Sequence, residues 1–194
     1  KDLFEKILPD ARANGRMIFT NISGLVLDQD EAQFVTRIGY DDFEKWPEEA
    51  PDGAIYILDE CQFIIPVRHS TKKPPPWVEH FTIHRHRGLD FILITQHPSI
   101  IDSLARHMVT DHRHVFRPRG LGYSVIKQWD GCNDNPEPNM LDSMADVTRL
   151  SLPKKYFAKY KSAAVHNIKA RIPWRMLGLA AVVLLVIGGG VWQT

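Results

Sequence analysis

The chain has 194 residues with 44% hydrophobic and 24% charged content, which argues against bulk disorder and suits one α/β domain plus an appendage. Its net charge of +1 hides an asymmetry: the last acid is Asp146, and Arg149, Lys154, Lys155, Lys159, Lys161, Lys169, Arg171 and Arg175 follow with no carboxylate to balance them. The two cysteines, Cys61 and Cys132, give neither a zinc spacing nor a disulfide framework, so reduced thiols in a cytosolic compartment are expected.

The chain opens with Leu3, Phe4, Ile7 and Leu8 at helical spacing, read as the back half of a helix whose front lies upstream. Arg16 to Ile22 predicts a core strand that turns at Ser23-Gly24. Residues 28–50 are polar and acidic; Tyr40, Phe43 and Trp46, three apart, predict a short helix with an aromatic stripe toward the core. The turn Pro51-Asp52-Gly53 then leads into Ala54-Ile55-Tyr56-Ile57-Leu58-Asp59-Glu60. An apolar run of this length reads as a strand buried on both faces of a parallel sheet. Two acids at its carboxyl end stand where open α/β sheets bind ligands, the pattern of a Walker B strand in a P-loop ATPase. The plainer alternative is a buried strand leaving the core through a polar turn.

Pro66 to Pro76, with Lys72-Lys73-Pro74-Pro75-Pro76, predicts an extended linker. Trp77 to His86 predicts a helix with Trp77, Phe81 and His84 on one side and Gly88 as C-cap. Phe91 to Gln96 is a third buried strand, again with polar groups at its carboxyl end, and Pro98 to Met108 reads as a helix. His114 to Arg117 and Tyr123 to Lys127 alternate apolar and polar around Arg119-Gly120-Leu121-Gly122, predicting a hairpin at the sheet edge. Residues 130–139 read as a polar loop. This alternation of strand and helix predicts a doubly wound, mostly parallel α/β sheet flanked by helices.

The basic neck, residues 151–173, precedes a charge-free run from Met176 to Trp192, bracketed by Trp174 and Trp192. At ~1.5 Å rise per residue such a helix spans about 27 Å, close to the roughly 30 Å hydrocarbon core of a bilayer. A transmembrane helix over 174–192 is therefore expected, with a buried core helix as the alternative. The positive-inside rule puts residues 1–150 and the neck in the cytoplasm, and residues 193–194 at the start of a periplasmic part. Gly178 with Ala181, or Gly188 to Gly190, would suit a helix contact in lipid.

A strand ending Leu58-Asp59-Glu60, a strand ending Ile94-Thr95-Gln96, and a basic neck before one span stand in an order that resembles the zonula occludens toxin-like family. Phe19-Thr20-Asn21-Ile22, His84-Arg85-His86-Arg87-Gly88-Leu89-Asp90 and Ser162-Ala163-Ala164-Val165-His166 add to the resemblance, which covers essentially the whole chain. It implies an inner-membrane P-loop ATPase of the bacterial host, using ATP and Mg²⁺, that helps extrude filamentous phage. Homo-oligomerisation, phage single-stranded DNA and coat or secretion-channel proteins are the partners it implies. The alternatives are a non-hydrolysing membrane scaffold, or a toxin-like protein acting through an exported C-terminal segment. One departure stands out: the sequence contains no Gly-x-x-x-x-Gly-Lys-Ser/Thr, the loop that cradles phosphates with backbone N–H groups. In the family it precedes the first helix, so it is expected upstream of residue 1; a degenerate NTPase is the other reading.

By matching position, Asp59 would bind the nucleotide's Mg²⁺ and Glu60 would be the catalytic base, against a purely structural strand cap. Gln96 resembles a sensor of the γ-phosphate or attacking water, against a polar strand end. Arg85 and Arg87 could be arginine fingers delivered in trans, against a basic helix end favouring the helix dipole. His80 and His84 have i,i+4 zinc spacing but no third ligand at a telling distance. The neck either enforces topology and meets anionic lipid, or guides DNA phosphates.

Overall fold

The computed structural model describes residues 1–69, 71–118, 122–136, 144–151 and 154–160. Four parallel strands, β1 (Ile18–Thr20), β2 (Val35–Arg37), β3 (Ile55–Leu58) and β4 (Asp90–Leu93), form a sheet in the order β2-β1-β3-β4. All residues of β3 are buried because both faces of the sheet are covered. On one face Ile18, Ile55 and Ile57, with Ile92 partly buried, meet Leu8 and Ala11 of helix α1 (Leu8–Asn14) and the preceding residues Leu3, Phe4 and Ile7. On the other, Tyr56 and Leu58 with Phe19, Phe91 and Leu93 meet Phe43, Trp46, Trp77, Phe81, Ile101 and Ala105. The register Phe19↔Tyr56↔Phe91 stacks three rings across β1, β3 and β4, with centroids 5.0 and 5.1 Å apart. Phe43 closes edge-on against Tyr56 and Phe91.

The expected first helix is present, but its opening turn, Leu3–Ile7, is π-type, with the Leu8 N–H bonded to Leu3 O. Pro9 explains this: it has no N–H to donate to Glu5 O, and the turn before it widens. The helix ends at Gly15, which supplies the left-handed φ of 63°. Arg16 then donates to Gly53 O at 2.5 Å and Gly88 O at 3.2 Å, and pairs with Asp90 at 2.5 Å. That tie pins the amino ends of β1, β3 and β4 together. The helix therefore runs against the strands, and its start lies at their carboxyl edge.

Several elements differ from the sequence reading. Within 28–50 lie a capped turn of helix, α2 (Gln29–Ala32), strand β2, a 3₁₀ turn Phe43–Lys45 and α3 (Trp46–Glu49). Phe43 and Trp46 are core residues, while Tyr40 is exposed. The helix expected over 77–86 is α4 (Pro76–Glu79) and two 3₁₀ turns, broken at Ile83, where ψ turns to 1°. Gly88 does cap it, with φ 64°. The helix expected from Pro98 begins at Ser103 (α5, Ser103–Met108), because Ile101 is extended and bridges Pro66, and Asp102 caps Leu104. Asp102 is buried and also pairs with Arg68, anchoring the loop that leads to the proline run.

The predicted hairpin, β5 (Asp111–Phe116) and β6 (Tyr123–Asp130), does not join the parallel sheet. It pairs with β7 (Asp146–Ser151) in a separate antiparallel sheet of order β5-β6-β7. β7 takes six register partners on β6, from Ser151↔Tyr123 to Asp146↔Gln128. The first part of the neck belongs to the folded body. A 3₁₀ stretch, Lys154–Lys159, lies on the first helix and on residues 25–31. Among the described residues no helix is long and apolar enough to cross a membrane; the span expected over 174–192 lies outside the described residues.

Candidate active site at the carboxyl edge of the sheet

β3 delivers Asp59 and Glu60 half-buried at its carboxyl end, beside the ends of β1 and β4. Asn21, just past β1, reaches across: its side-chain Nδ2 donates to Asp59 O at 2.7 Å and its Oδ1 accepts the Asp59 N–H at 2.7 Å. One amide thus occupies both backbone groups of Asp59 and continues the ladder for one more rung. The Asp59 carboxylate accepts the Glu60 N–H at 3.0 Å. Glu60 itself adopts φ 47°, ψ 45°, the left-handed conformation; it is the non-glycine residue with positive φ among the described residues. For an L-residue this costs roughly 1–2 kcal/mol. The turn is held on its far side by the Cys61 N–H, which donates to Ile94 O at 3.0 Å.

The Glu60 carboxylate accepts a hydrogen bond from Gln62 Nε2 at 2.5 Å. Gln62 Oε1 in turn accepts from the Thr95 hydroxyl at 2.9 Å. Gln96, next along, is exposed at the same edge. The structure therefore gathers Asp59, Glu60 and Gln96 at one edge of the sheet. Asn21, Gln62 and Thr95 join them, none singled out as a site residue from sequence. The adjacency Thr20-Asn21 at a strand end was the available signal for the first of them.

The arginines go elsewhere. Arg85 and Arg87 precede β4, at the amino edge, a strand length of about 13 Å from the carboxylates at ~3.3 Å per residue. Arg87 is committed to structure: it donates to Asp52 at 2.8 Å, to Pro47 O at 2.7 Å and to Ala50 O. Arg85 is exposed. His80 and His84 each turn Nδ1 to a carbonyl one turn back, Pro76 O at 2.6 Å and Phe81 O at 2.5 Å. Among the described residues there is no cluster of three or more His, Cys, Asp or Glu side chains arranged to hold a metal ion.

Cys61 adjoins the carboxylates but is no nucleophile. Burial, helped by the charges of Asp59 and Glu60, pushes its thiol up to about 12, so it stays protonated. Tyr56, inside the aromatic stack, is likewise pushed up to about 12 by burial. The chemistry at this edge therefore rests on carboxylates: one half-buried Asp, which suits a magnesium ion that takes its remaining ligands from water and phosphate, and one strained, hydrogen-bonded Glu suited to orient a water.

Residues 2–167 match the family described as Zonular occludens toxin (Zot). The protein named "Putative assembly protein ORF301" of Pseudomonas phage Pf3 is 31% identical over 185 residues, covering 94% of this chain. The chain spans 60% of the length of that phage protein. The crystal structure of the N-terminal domain of zonular occludens toxin from Neisseria meningitidis superposes with a TM-score of 0.66 at 28% identity, over 82% of this chain and 88% of that one. A remoter likeness, TM-score 0.49 at 13% identity over 77% and 89% of the chains, is to the genome packaging NTPase B204 from Sulfolobus turreted icosahedral virus 2 in complex with ATP-gammaS. It is too distant to bear on function.

Proposed function

Since this chain belongs to the Zonular occludens toxin (Zot) family, we propose that it is the NTPase part of an inner-membrane motor that assembles and extrudes filamentous phage. The observation that carries this reading is the Asp59–Glu60 pair at the carboxyl end of a fully buried parallel strand, with Gln96 three residues past the end of the next strand. Glu60 orients and polarises the attacking water, and Gln96 bonds the γ-phosphate or that water. Asp59 is the carboxylate that would hold Mg²⁺, directly or through water, and the ion when bound neutralises charge on the phosphates. Arg85 cannot serve the carboxylates of its own chain from the opposite edge, so in this reading it acts on a neighbouring copy in a ring. Phe63, 71% exposed beside the site and in edge contact with Tyr40, suits a subunit contact there.

The phosphate-cradling loop is, in this reading, carried by sequence ahead of Lys1. Two features fit that placement. The first helix starts at the carboxyl edge, where such a loop would hand over to it. β4 pairs with β3 alone among the described residues, and its outer edge, Phe91-Ile92-Leu93-Ile94, is apolar enough to take another parallel strand. The membrane span, the phage DNA and the coat or channel proteins belong to the same proposal. The second reading is a scaffold that keeps the fold without hydrolysis.

ATPase assays on the natural full-length protein in membranes, beside Glu60→Gln, decide between them. A motor should lose at least ~100-fold in kcat on this substitution while nucleotide binding persists. Equal rates in both proteins would overturn the role of Glu60, and no nucleotide binding by either would leave the scaffold.

A further inference from the structure

Thr95, Gln62 and Glu60 form a chain of hydrogen bonds that no part of the reaction described above uses. We propose that Gln62 and Thr95 are positioning residues that set the direction of the Glu60 carboxylate and couple it to the segment that follows β4, which carries Gln96. This inference rests on the reading of Glu60 as the base.

The polarity of the chain is set by Glu60. Its carboxylate accepts, so the side-chain NH₂ of Gln62 faces Glu60 Oε2 at 2.5 Å, and the flipped amide would set a carbonyl oxygen against that carboxylate. The Gln62 carbonyl oxygen is thereby turned to Thr95, whose hydroxyl donates to it at 2.9 Å, with His97 O farther off at 3.4 Å. A charge-assisted bond of this kind holds the carboxylate more firmly than a neutral one.

The backbone gives the chain its purpose. Glu60 sits in the left-handed region, a conformation it keeps only because the surroundings impose it. Asn21 fixes the peptide groups on one side, from the end of β1, and Ile94 O takes the Cys61 N–H on the other, from the end of β4. Gln62 adds the side-chain tie to the same strand. The carboxylate thus has both its root and its tip referenced to neighbouring strands. Any shift of the β4 end when Gln96 engages a phosphate passes through Thr95 and Gln62 to the base. A carboxylate held at one oxygen by Gln62 keeps the other oxygen for water.

The test uses the natural full-length protein with Thr95→Val, Thr95→Ser, Gln62→Leu and the double variant Thr95→Val/Gln62→Leu, with wild type and Glu60→Gln as references. Thr95→Val and Gln62→Leu should each lower kcat by ~10- to 100-fold, as a displaced catalytic group does, with KM for the nucleotide within ~3-fold of wild type. The double variant should be no worse than Gln62→Leu alone, since either change breaks the same chain. Thr95→Ser keeps the hydroxyl and should restore kcat. Hydrogen exchange of the 59–63 peptide, measured without nucleotide, should quicken by about tenfold in Thr95→Val and in Gln62→Leu, but not in Thr95→Ser. Additive losses, an unaltered kcat in Gln62→Leu, or loss expressed in KM would overturn the proposal. If wild type hydrolyses no faster than Glu60→Gln, the function proposed for the site fails instead. The exchange arm then decides the linkage by itself: equal protection in all variants would sink it.

Discussion

Glu60 is the residue where the fold conflicts with the function proposed for it. Its left-handed backbone is one that glycine adopts without strain, yet a glycine there would have no carboxylate. Glu60→Gly should accordingly be more stable than Glu60→Ala by about 1 kcal/mol, the reverse of the order found at ordinary positions. Denaturant midpoints of the two variants check this, and Ala equal to or above Gly would remove the strain from the account. That Asp59, Glu60 and Gln96 would lie at one edge of the sheet was legible in the sequence, because parallel strands write themselves as apolar runs and the polar residues that follow them stand out. Asn21 was not legible as a partner of Asp59. The two lie 38 positions apart, and only the pairing of β1 with β3 sets the amide against the peptide it clamps. The same holds for Gln62 and Thr95, 33 positions apart.

Among the elements, those with a strong reason to be buried were the ones the sequence announced. β3 falls inside its predicted run, and Gly88 closes its helical segment as expected. β4 starts one residue ahead of its run and ends at Leu93, and as the outer strand of the sheet it is only partly buried, not the buried strand expected over 91–96. β2 is three residues, Val-Thr-Arg, with only Val35 packed on the core, and β7 is mostly exposed; neither carries a periodicity to read. The neck is a clearer case of long-range pairing. Tyr156 stacks on Phe4 with centroids 5.6 Å apart and donates its hydroxyl to Glu5 at 2.7 Å. Lys155 pairs with Glu5 at 3.0 Å, and Lys159 with Glu31 at 2.7 Å and Asp28 at 3.4 Å. The Tyr156 hydrogen bond, and after it Lys155, lower the Glu5 carboxyl from 4.5 to about 2. A depressed carboxyl favours the docked neck above its unfolded value and ceases to do so as pH falls through its folded one. Protection of the 154–160 amides against hydrogen exchange, relative to the intrinsic rate at each pH, should therefore be high at neutral pH and fall between about 4.5 and 2. In Glu5→Gln that fall should shrink to the part carried by Asp28, whose carboxyl is also lowered and pairs with Lys159; if it persists unchanged, the clasp is held by other groups. High salt should loosen the same contact, since its charges are exposed.

At the scale of the whole molecule, composition alone separated a balanced body from a basic tail and a charge-free run. What composition could not convey is that the tail begins inside the body: the Val26 N–H donates to Lys159 O at 2.9 Å, and Leu25 bridges Tyr160. The orientation proposed for the membrane run has a direct check. A periplasm-active reporter fused after Thr194 should be active, and an inactive fusion would reverse the topology. The docked neck also sets a length. Thirteen residues separate Tyr160 from Trp174, and at ~3.4 Å per residue they reach at most about 48 Å. If, as proposed, a span starts at Trp174, the clasped domain is leashed within that radius of the bilayer surface. The clasp lies on the face where the first helix begins, at the edge that carries Asp59 and Glu60. Any machinery fed from that edge must then fit in the gap between domain and lipid, and releasing the clasp would lengthen the leash.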